Sequence, residues 1–192
     1  IVLTVLALSA AAMPLGARVS LPSFFCDHMV LQQQAEAPVW GKAVPGATVT
    51  VTGSWDGRSV SARAGSDGNW RLALSTPEAG GPYTIRISEN ASRKAAVETL
   101  VLEDVLIGEV WLCGGQSNME MPVKGYSGQP VEGSAGVIAG SADDGLRLFT
   151  VKRDSSSEPK DDVSGTWSAA SPATVREFSA TAYFYGALLR KA

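Results

Sequence analysis

The pattern of hydrophobic and polar positions divides the chain into two parts near residue 100. From about residue 18 to 99, short runs of β-branched and aromatic residues alternate with turn signals such as Asp56-Gly57. Residues 48–52 (TVTVT) alternate with a period of two, which is typical of a half-buried strand. Because six or seven strands at this spacing are typical of a β-sandwich, residues 18–103 are predicted to form a β-sandwich domain.

From Val105 onward the pattern becomes that of an α/β domain. The apolar run Val110–Cys113 predicts a buried strand, and residues 146–151 predict the next one. Residues 122–145 indicate a surface loop with a short helix near Val137. Residues 179–191 place apolar side chains at helical spacing and predict an amphipathic helix. Two or so strands cannot close a three-layer α/β sheet, so residues 104–192 are predicted to be the incomplete N-terminal part of such a domain.

Tryptophans in the alternating runs are expected to belong to the core. Trp40, Trp55 and Trp70 lie in or beside predicted strands, and Trp167 follows a polar loop as a packing anchor. Alternating apolar residues face the neighbouring sheet, which favours packing over sugar stacking for these rings.

The segment around Ser117 carries the candidate chemistry. Gly114-Gly115 follows the predicted strand and allows a sharp turn, after which Ser117 stands between Gln116 and Asn118. A hydroxyl beyond the end of a sheet strand lies in the crevice where ligands of α/β proteins bind. If a helix begins there, its free N–H groups also stabilise negative charge that develops on the ligand. That arrangement suits a serine esterase. The alternative is a glycine-rich loop that contains a serine by chance, and Met119 departs from the Gly-x-Ser-x-Gly pattern of α/β-hydrolases.

Residues 108–122 (GEVWLCGGQSNMEMP) resemble the signature of the sialate O-acetylesterase family, which belongs to the SGNH (GDSL-like) hydrolases. Residues 21–33 with 38–41 resemble the N-terminal opening of that family, and residues 178–186 resemble a helix downstream of its nucleophile. The resemblance implies a flavodoxin-like, SGNH hydrolase-like second domain and removal of acetyl groups from sugars. It implies Ser117 as nucleophile, an acetylated carbohydrate as substrate, and neither a metal nor an organic cofactor.

The supporting residues follow from the same motif. Gly115, Gln116 and Asn118 are candidates for turn and oxyanion support: Gln116 could line the acyl pocket, and Asn118 could orient the turn. Glu120 is expected to cap or salt-bridge the first helical turn. A serine needs a general base, and the family pattern implies a histidine from an Asp-x-x-His stretch.

The sequence contains one histidine, His28, which lies in the predicted sandwich and is expected to be structural. Because it holds no Asp-x-x-His stretch, the chain is predicted to be a fragment with little or no activity of its own. The alternative of another class is a non-enzymatic exported β-sandwich module that binds glycans or protein partners.

Composition and charge restrict the partners and the compartment. A net charge of −3 without runs of like charge indicates no nucleic-acid or membrane-surface binding. Residues 1–17 resemble a secretory signal peptide without its charged start, which predicts export to a periplasm or the cell exterior and no membrane span in the mature chain. Cys26 and Cys113 are expected to be buried free thiols, although an oxidising compartment would allow one bridge. The oligomeric state is left open.

Overall fold

A computed structural model describes residues 19–91 and 97–191. The predicted signal segment, residues 1–17, lies outside the described residues. The elements in chain order are β1 (Val30–Gln32), β2 (Glu36–Lys42), β3 (Thr48–Gly53), β4 (Ser59–Arg63), β5 (Asn69–Ser75), β6 (Gly80–Asn90), β7 (Glu98–Gly108), α1 (Ser117–Glu120), α2 (Ser134–Ala139), β8 (Asp143–Phe149), β9 (Trp167–Ala170), α3 (Pro172–Glu177) and α4 (Ala180–Leu189).

The strands form one mixed five-stranded sheet and two small antiparallel sheets. The large sheet has the order β1-β7-β6-β3-β4. The edge strand β1 pairs with β7 in parallel, and all other neighbouring strands of this sheet are antiparallel. The small sheets are β2-β5 and β8-β9. In β5, side chains alternate between buried and exposed along the whole strand, so the period of two does mark the face that is buried.

The apolar faces of the large sheet and the β2-β5 pair enclose one core. Val51, Ile87 and Val39 from three different strands are almost completely buried in it. Trp70 is 3% exposed, and Trp40 and Trp55 pack against the same cluster, which confirms their predicted place in the core. The predicted class of β-sandwich stays a prediction, because one of the two facing sheets has only two strands.

Aromatic packing joins the first core to the second half of the chain. Trp167 is buried in the first core, its Nε1 donates to the Phe24 carbonyl at 3.0 Å, and its ring centroid lies 5.5 Å from that of Phe24. Trp167 is therefore the packing anchor that the sequence predicts. The strand β7 runs through the predicted domain boundary between residues 103 and 104, and the division into two domains stays a prediction.

A second, smaller core lies among β8, β9 and the helices. Its buried members are Val123, Leu148, Ala170, Val175, Ala180 and Tyr183. The predicted short helix near Val137 is α2, and the predicted C-terminal helix is α4. The sequence did not predict β9 or α3. A capping box between Ser171 and Thr174, with Pro172 at the first helical position, starts α3. The serine and proline at these positions are a sequence signal from which the start of α3 could have been predicted.

The predicted buried strand Val110–Cys113 is wrong. The segment is irregular and exposed: Trp111 is 56% exposed and Leu112 is 96% exposed. A strand needs a hydrogen-bonded neighbour, and within the described residues the only backbone bond of this run joins the Val110 N–H to the Gln32 Oε1 at 2.9 Å. The predicted burial of Cys113 is wrong for the same reason, whereas Cys26 is partly buried; both thiols are free.

None of the helices formed by residues 19–91 and 97–191 has the length and apolar character needed to cross a bilayer.

Candidate active site

Ser117 is exposed and begins the short helix α1. The glycines that precede it continue in irregular backbone rather than in a strand. The turn is closed by hydrogen bonds from the N–H groups of Met119 and Glu120 to the Gln116 carbonyl, at 2.9 and 3.2 Å. The predicted start of a helix at the serine is thus observed, although the predicted strand before it is not.

Gly115 has a packing requirement that Gly114 lacks. A Cβ on Gly115 would lie 3.2 Å from the Cβ of Met119, whereas one on Gly114 would meet nothing within 4 Å. Gly115 therefore permits the close approach of the first turn of α1 to the segment before it.

The polar groups around Ser117 are available for a ligand. Gln116, Ser117 and Asn118 are exposed, and among the described residues neither the Ser117 hydroxyl nor the N–H groups of residues 115–117 are engaged in a hydrogen bond. Free N–H groups beside an exposed hydroxyl can donate to a developing oxyanion. The four predicted site residues, Gly115 to Asn118, are thus brought together by one turn.

The start of α4 holds this turn from the other side. The Thr181 hydroxyl donates to the Asn118 carbonyl at 3.1 Å, and the Ala180 N–H donates to the Met121 carbonyl at 2.8 Å. The Ser179 hydroxyl, which caps α4, also contacts the Met119 sulfur at 3.3 Å. Three consecutive residues therefore fix the backbone directly after the serine, a function that the sequence did not reveal for them.

Thr181→Val should loosen the turn without disturbing the packing of α4. The substitution keeps the branched shape and removes one hydrogen bond, which is worth about 1 kcal/mol. We expect exchange of the hydrogen-bonded amides of residues 119–121 to become about fivefold faster, since 1.4 kcal/mol corresponds to a factor of ten.

Thr181→Ser is the matched control, because it retains the hydroxyl. It should exchange at the rate of the unaltered protein. Equal exchange in all three proteins would show that the Thr181 hydroxyl does not hold the turn.

Glu120 is tied to its surroundings by contacts of its own. Its carboxylate forms an ion pair with Arg153, and its backbone carbonyl accepts from the Tyr126 hydroxyl at 3.1 Å. The carboxylate raises the pKa of Arg153, chiefly through their hydrogen bond. The arrangement matches the expected salt-bridging function of Glu120.

Two glutamines fix the point where the chain leaves β7. Gln33 Nε2 donates to Glu109 Oε1 at 2.7 Å, and Gln32 Nε2 donates to the other carboxylate oxygen at 3.2 Å. These bonds, first from Gln33 and then from Gln32, lower the pKa of Glu109. Gln32 also accepts from the Val110 N–H, so its amide joins the end of β1 to the segment that leads to Ser117.

His28 belongs to a different cluster and does not contact Ser117. Its Nδ1 lies 2.6 Å from Asp104 Oδ2, and Arg147 donates to both Asp104 oxygens, at 2.7 and 3.0 Å. Arg147 is almost fully buried, and both His28 and Asp104 have positive φ angles, of 67° and 52°. These contacts join the middle of β7 to β8, in keeping with the structural function expected for His28.

The cluster predicts an acid-sensitive stability. The Arg147 guanidinium, followed by the His28 hydrogen bond, lowers the pKa of Asp104 from 3.8 to about 2. The carboxylate thus stabilises the folded state fully above the pKa of the unfolded chain, and this stability is lost as the pH falls through about 2. Urea midpoints measured at pH 5 and pH 2.5 should differ more for the unaltered protein than for Asp104→Asn. The same difference in both proteins would contradict the assignment.

A groove lies between the large sheet and the β8-β9 region. It is lined by residues that include His28, Glu109, Trp111, Arg147 and Arg190, and Ser117 is not among its lining residues. Within residues 19–91 and 97–191, no group of three or more His, Cys, Asp or Glu side chains is arranged to hold a metal ion.

Comparison with known proteins gives consistent results. Mouse sialate O-acetylesterase is 33% identical over 168 residues, which cover 85% of this chain and 30% of the mouse protein. The rat protein of the same name is 32% identical over 154 residues, or 76% of this chain and 27% of that protein. The human one is 40% identical over 107 residues, or 53% of this chain and 20% of that protein. No protein-family model matches.

A solved structure has the same fold over most of the chain. The crystal structure of a carbohydrate acetylesterase from Xanthomonas citri superposes with a TM-score of 0.79 at 35% identity, covering 90% of this chain and 37% of that one. The matches thus cover only 20% to 37% of the length of these relatives. Shared sequence and shared fold agree with the motif around Ser117: the chain belongs to the sialate O-acetylesterase family of SGNH-like hydrolases.

Proposed function

We propose that the protein is a carbohydrate O-acetylesterase that uses Ser117 as its nucleophile. The observation that carries the proposal is the exposed Ser117 hydroxyl at the start of α1, beside N–H groups that no other described residue uses. The similarity to proteins named sialate O-acetylesterase and carbohydrate acetylesterase supports an O-acetylated sugar as the substrate.

The reaction has two steps. The Ser117 oxygen attacks the acetyl carbonyl, its proton passes to a general base, and the oxyanion accepts from the backbone N–H groups of the turn. The carbonyl then re-forms, the bond to the sugar oxygen breaks, and the protonated base delivers the proton to that oxygen. Water repeats the sequence on the acetyl-serine and releases acetate. Gln116 lines the acyl pocket and Asn118 orients the turn.

The general base in this proposal is a histidine other than His28. His28 is the one histidine of the sequence, and its Nδ1 is bonded to Asp104 in a cluster that also includes Arg147. A serine hydroxyl without a base is a poor nucleophile. We therefore expect the 192-residue chain alone to release acetate at a rate close to that of a blank. Robust turnover by the purified chain would show that the base has been wrongly excluded.

Trapping the acetyl-serine tests the proposal directly. The full-length protein is mixed with an O-acetylated sugar, quenched in acid and digested, and the peptides are analysed by mass spectrometry. We expect an acetyl group on Ser117 and none on Ser127, an exposed serine ten residues further along the chain that serves as an internal control. Acetylation of both serines to the same extent, or of neither during turnover, would contradict a nucleophilic Ser117.

A further inference from the structure

Two stretches that the sequence analysis singled out meet at the end of β1. Residues 21–33 resemble the opening of the acetylesterase family, and residues 108–122 resemble its nucleophile signature. The strand β1 lies parallel to the end of β7, which places Gln32 opposite Gly108. The chemistry proposed for Ser117 uses the second stretch and leaves the first without a function.

Three side chains join these stretches through hydrogen bonds in which every donor faces an acceptor. The Gln32 amide oxygen accepts from the Val110 N–H at 2.9 Å. The Gln33 amide oxygen accepts from the Ala79 N–H, also at 2.9 Å. Each amide nitrogen therefore faces the Glu109 carboxylate, to which Gln33 donates at 2.7 Å and Gln32 at 3.2 Å. These two bonds, chiefly the one from Gln33, lower the pKa of Glu109, so its carboxylate is ionised at neutral pH and accepts through both oxygens.

Within the described residues, Val110 is where the backbone before the Ser117 turn is last held by a hydrogen bond. No described residue bonds to the N–H or C=O groups of residues 111–115, although the Trp111 ring contacts that of Tyr185. Beyond the serine, the start of α4 fixes the backbone again. The position of the turn relative to the large sheet thus depends on the bond to Val110 at one end and on α4 at the other.

We propose that Gln32 is a positioning residue for the esterase reaction: together with Glu109 it holds Val110 and thereby determines where the Ser117 hydroxyl lies. The inference rests on the proposed function, because it needs Ser117 as the nucleophile. A displacement of about 1 Å at a reacting atom can lower a rate by about a hundredfold, so a contact seven residues before the nucleophile has a measurable effect on catalysis. The strands of the first half of the chain are then part of the catalytic unit rather than a separate module attached to it.

A positioning function explains these bonds better than a contribution to stability or to sugar binding. Glu109 is exposed, and bonds to an exposed carboxylate add little to the free energy of folding. The strands β1 and β7 are already joined through their backbones, since the Gln33 N–H donates to the Gly108 carbonyl at 2.8 Å. Sugar hydroxyls would have to compete for the two amide oxygens with the backbone N–H groups that already occupy them.

Exchanging the two groups tests the proposal in the full-length protein. In Gln32→Glu the introduced carboxylate can still accept from the Val110 N–H, but it faces the Glu109 carboxylate, and two acceptors repel each other. We expect kcat for acetate release to fall about tenfold, while the KM for the sugar and the thermal midpoint change little. Adding Glu109→Gln again places a donor opposite an acceptor, so the double variant should recover most of the lost kcat. Gln34→Glu is the matched control, since the Gln34 side chain is exposed, bonds to no described residue, and should tolerate the same change with full activity.

Ser117→Ala, measured beside these variants, separates the two proposals. If it abolishes turnover while Gln32→Glu keeps the kcat of Gln34→Glu, the positioning function alone is overturned. If Ser117→Ala retains turnover, the proposed function and this inference both fail. The inference is also overturned if the double variant is no faster than Gln32→Glu, or if the thermal midpoint of Gln32→Glu falls together with its kcat, because the bonds would then act through folding.

Discussion

Ser117→Ala should lower acetate release from O-acetylated sugars by the full-length protein by about a thousandfold or more, because it removes the atom that forms the covalent intermediate. The loss should appear in kcat, while the KM for the sugar changes little. Binding groups remain in place when only the hydroxyl is lost, and the turn keeps its backbone hydrogen bonds from Met119 and Glu120. Initial rates measured over a range of substrate concentrations separate the two parameters.

The same variant should fold normally. The Ser117 side chain is exposed and makes no hydrogen bond to any described residue, so its truncation removes no stabilising contact. The thermal midpoint should match that of Ser127→Ala, a change at another exposed serine that should retain full activity. Unchanged turnover by Ser117→Ala would exclude the serine mechanism, and a lowered midpoint would attribute the loss of activity to unfolding.

The strands of the first half could be predicted because their signal is local. In β5 and β3 the alternation of side chains along a few residues determines which of them are buried, whatever the rest of the chain does. Tryptophans in those runs were placed correctly for the same reason. The helix predicted over residues 179–191 was also found, as α4, because its apolar residues and its basic end lie within one segment. Its predicted amphipathic character is wrong, since none of the residues from Ala180 to Leu189 is charged and Phe184 and Leu188 are exposed.

Residues 110–113 show that the local sequence alone does not determine whether a strand forms. Their composition favours a strand, yet a strand exists only beside another one, and none of the described strands pairs with this run. The motif around Ser117 nevertheless led to the right family, because a long specific pattern identifies relatives even where the local structure differs from expectation.

The His28–Asp104–Arg147 cluster had no signal in the sequence. Arg147 lies in a predicted strand as an ordinary polar position, and nothing indicated that it would be buried. Its partners are 43 and 119 residues away, so the contact depends on how β7 and β8 are placed in space. The positive φ angles of His28 and Asp104 could not be predicted from the sequence either, since residues other than glycine seldom adopt such angles.

Arg147→Met should lower the free energy of unfolding by about 2–3 kcal/mol, because removing one member of a buried charge pair leaves the other without its partner. The Arg147 side chain is 3% exposed, and besides Asp104 it donates to the Asp144 carbonyl at 2.9 Å. Methionine fills much of the volume, so the loss reports the hydrogen bonds rather than a cavity. Water reaches the partly exposed Asp104, which keeps the cost below that of a fully buried pair.

A comparison with an exposed ion pair separates burial from charge. Arg153 is 81% exposed and pairs with Glu120, so Arg153→Met should change the free energy of unfolding by about 0.5 kcal/mol or less. Adding Asp104→Asn to Arg147→Met should restore part of the loss, since the unpaired carboxylate is then gone. Urea denaturation of the four proteins measures these differences. If the two arginine variants lost the same stability, the Asp104–Arg147 pair would not hold β7 to β8, and the aromatic contacts of Trp167 would have to account for that attachment.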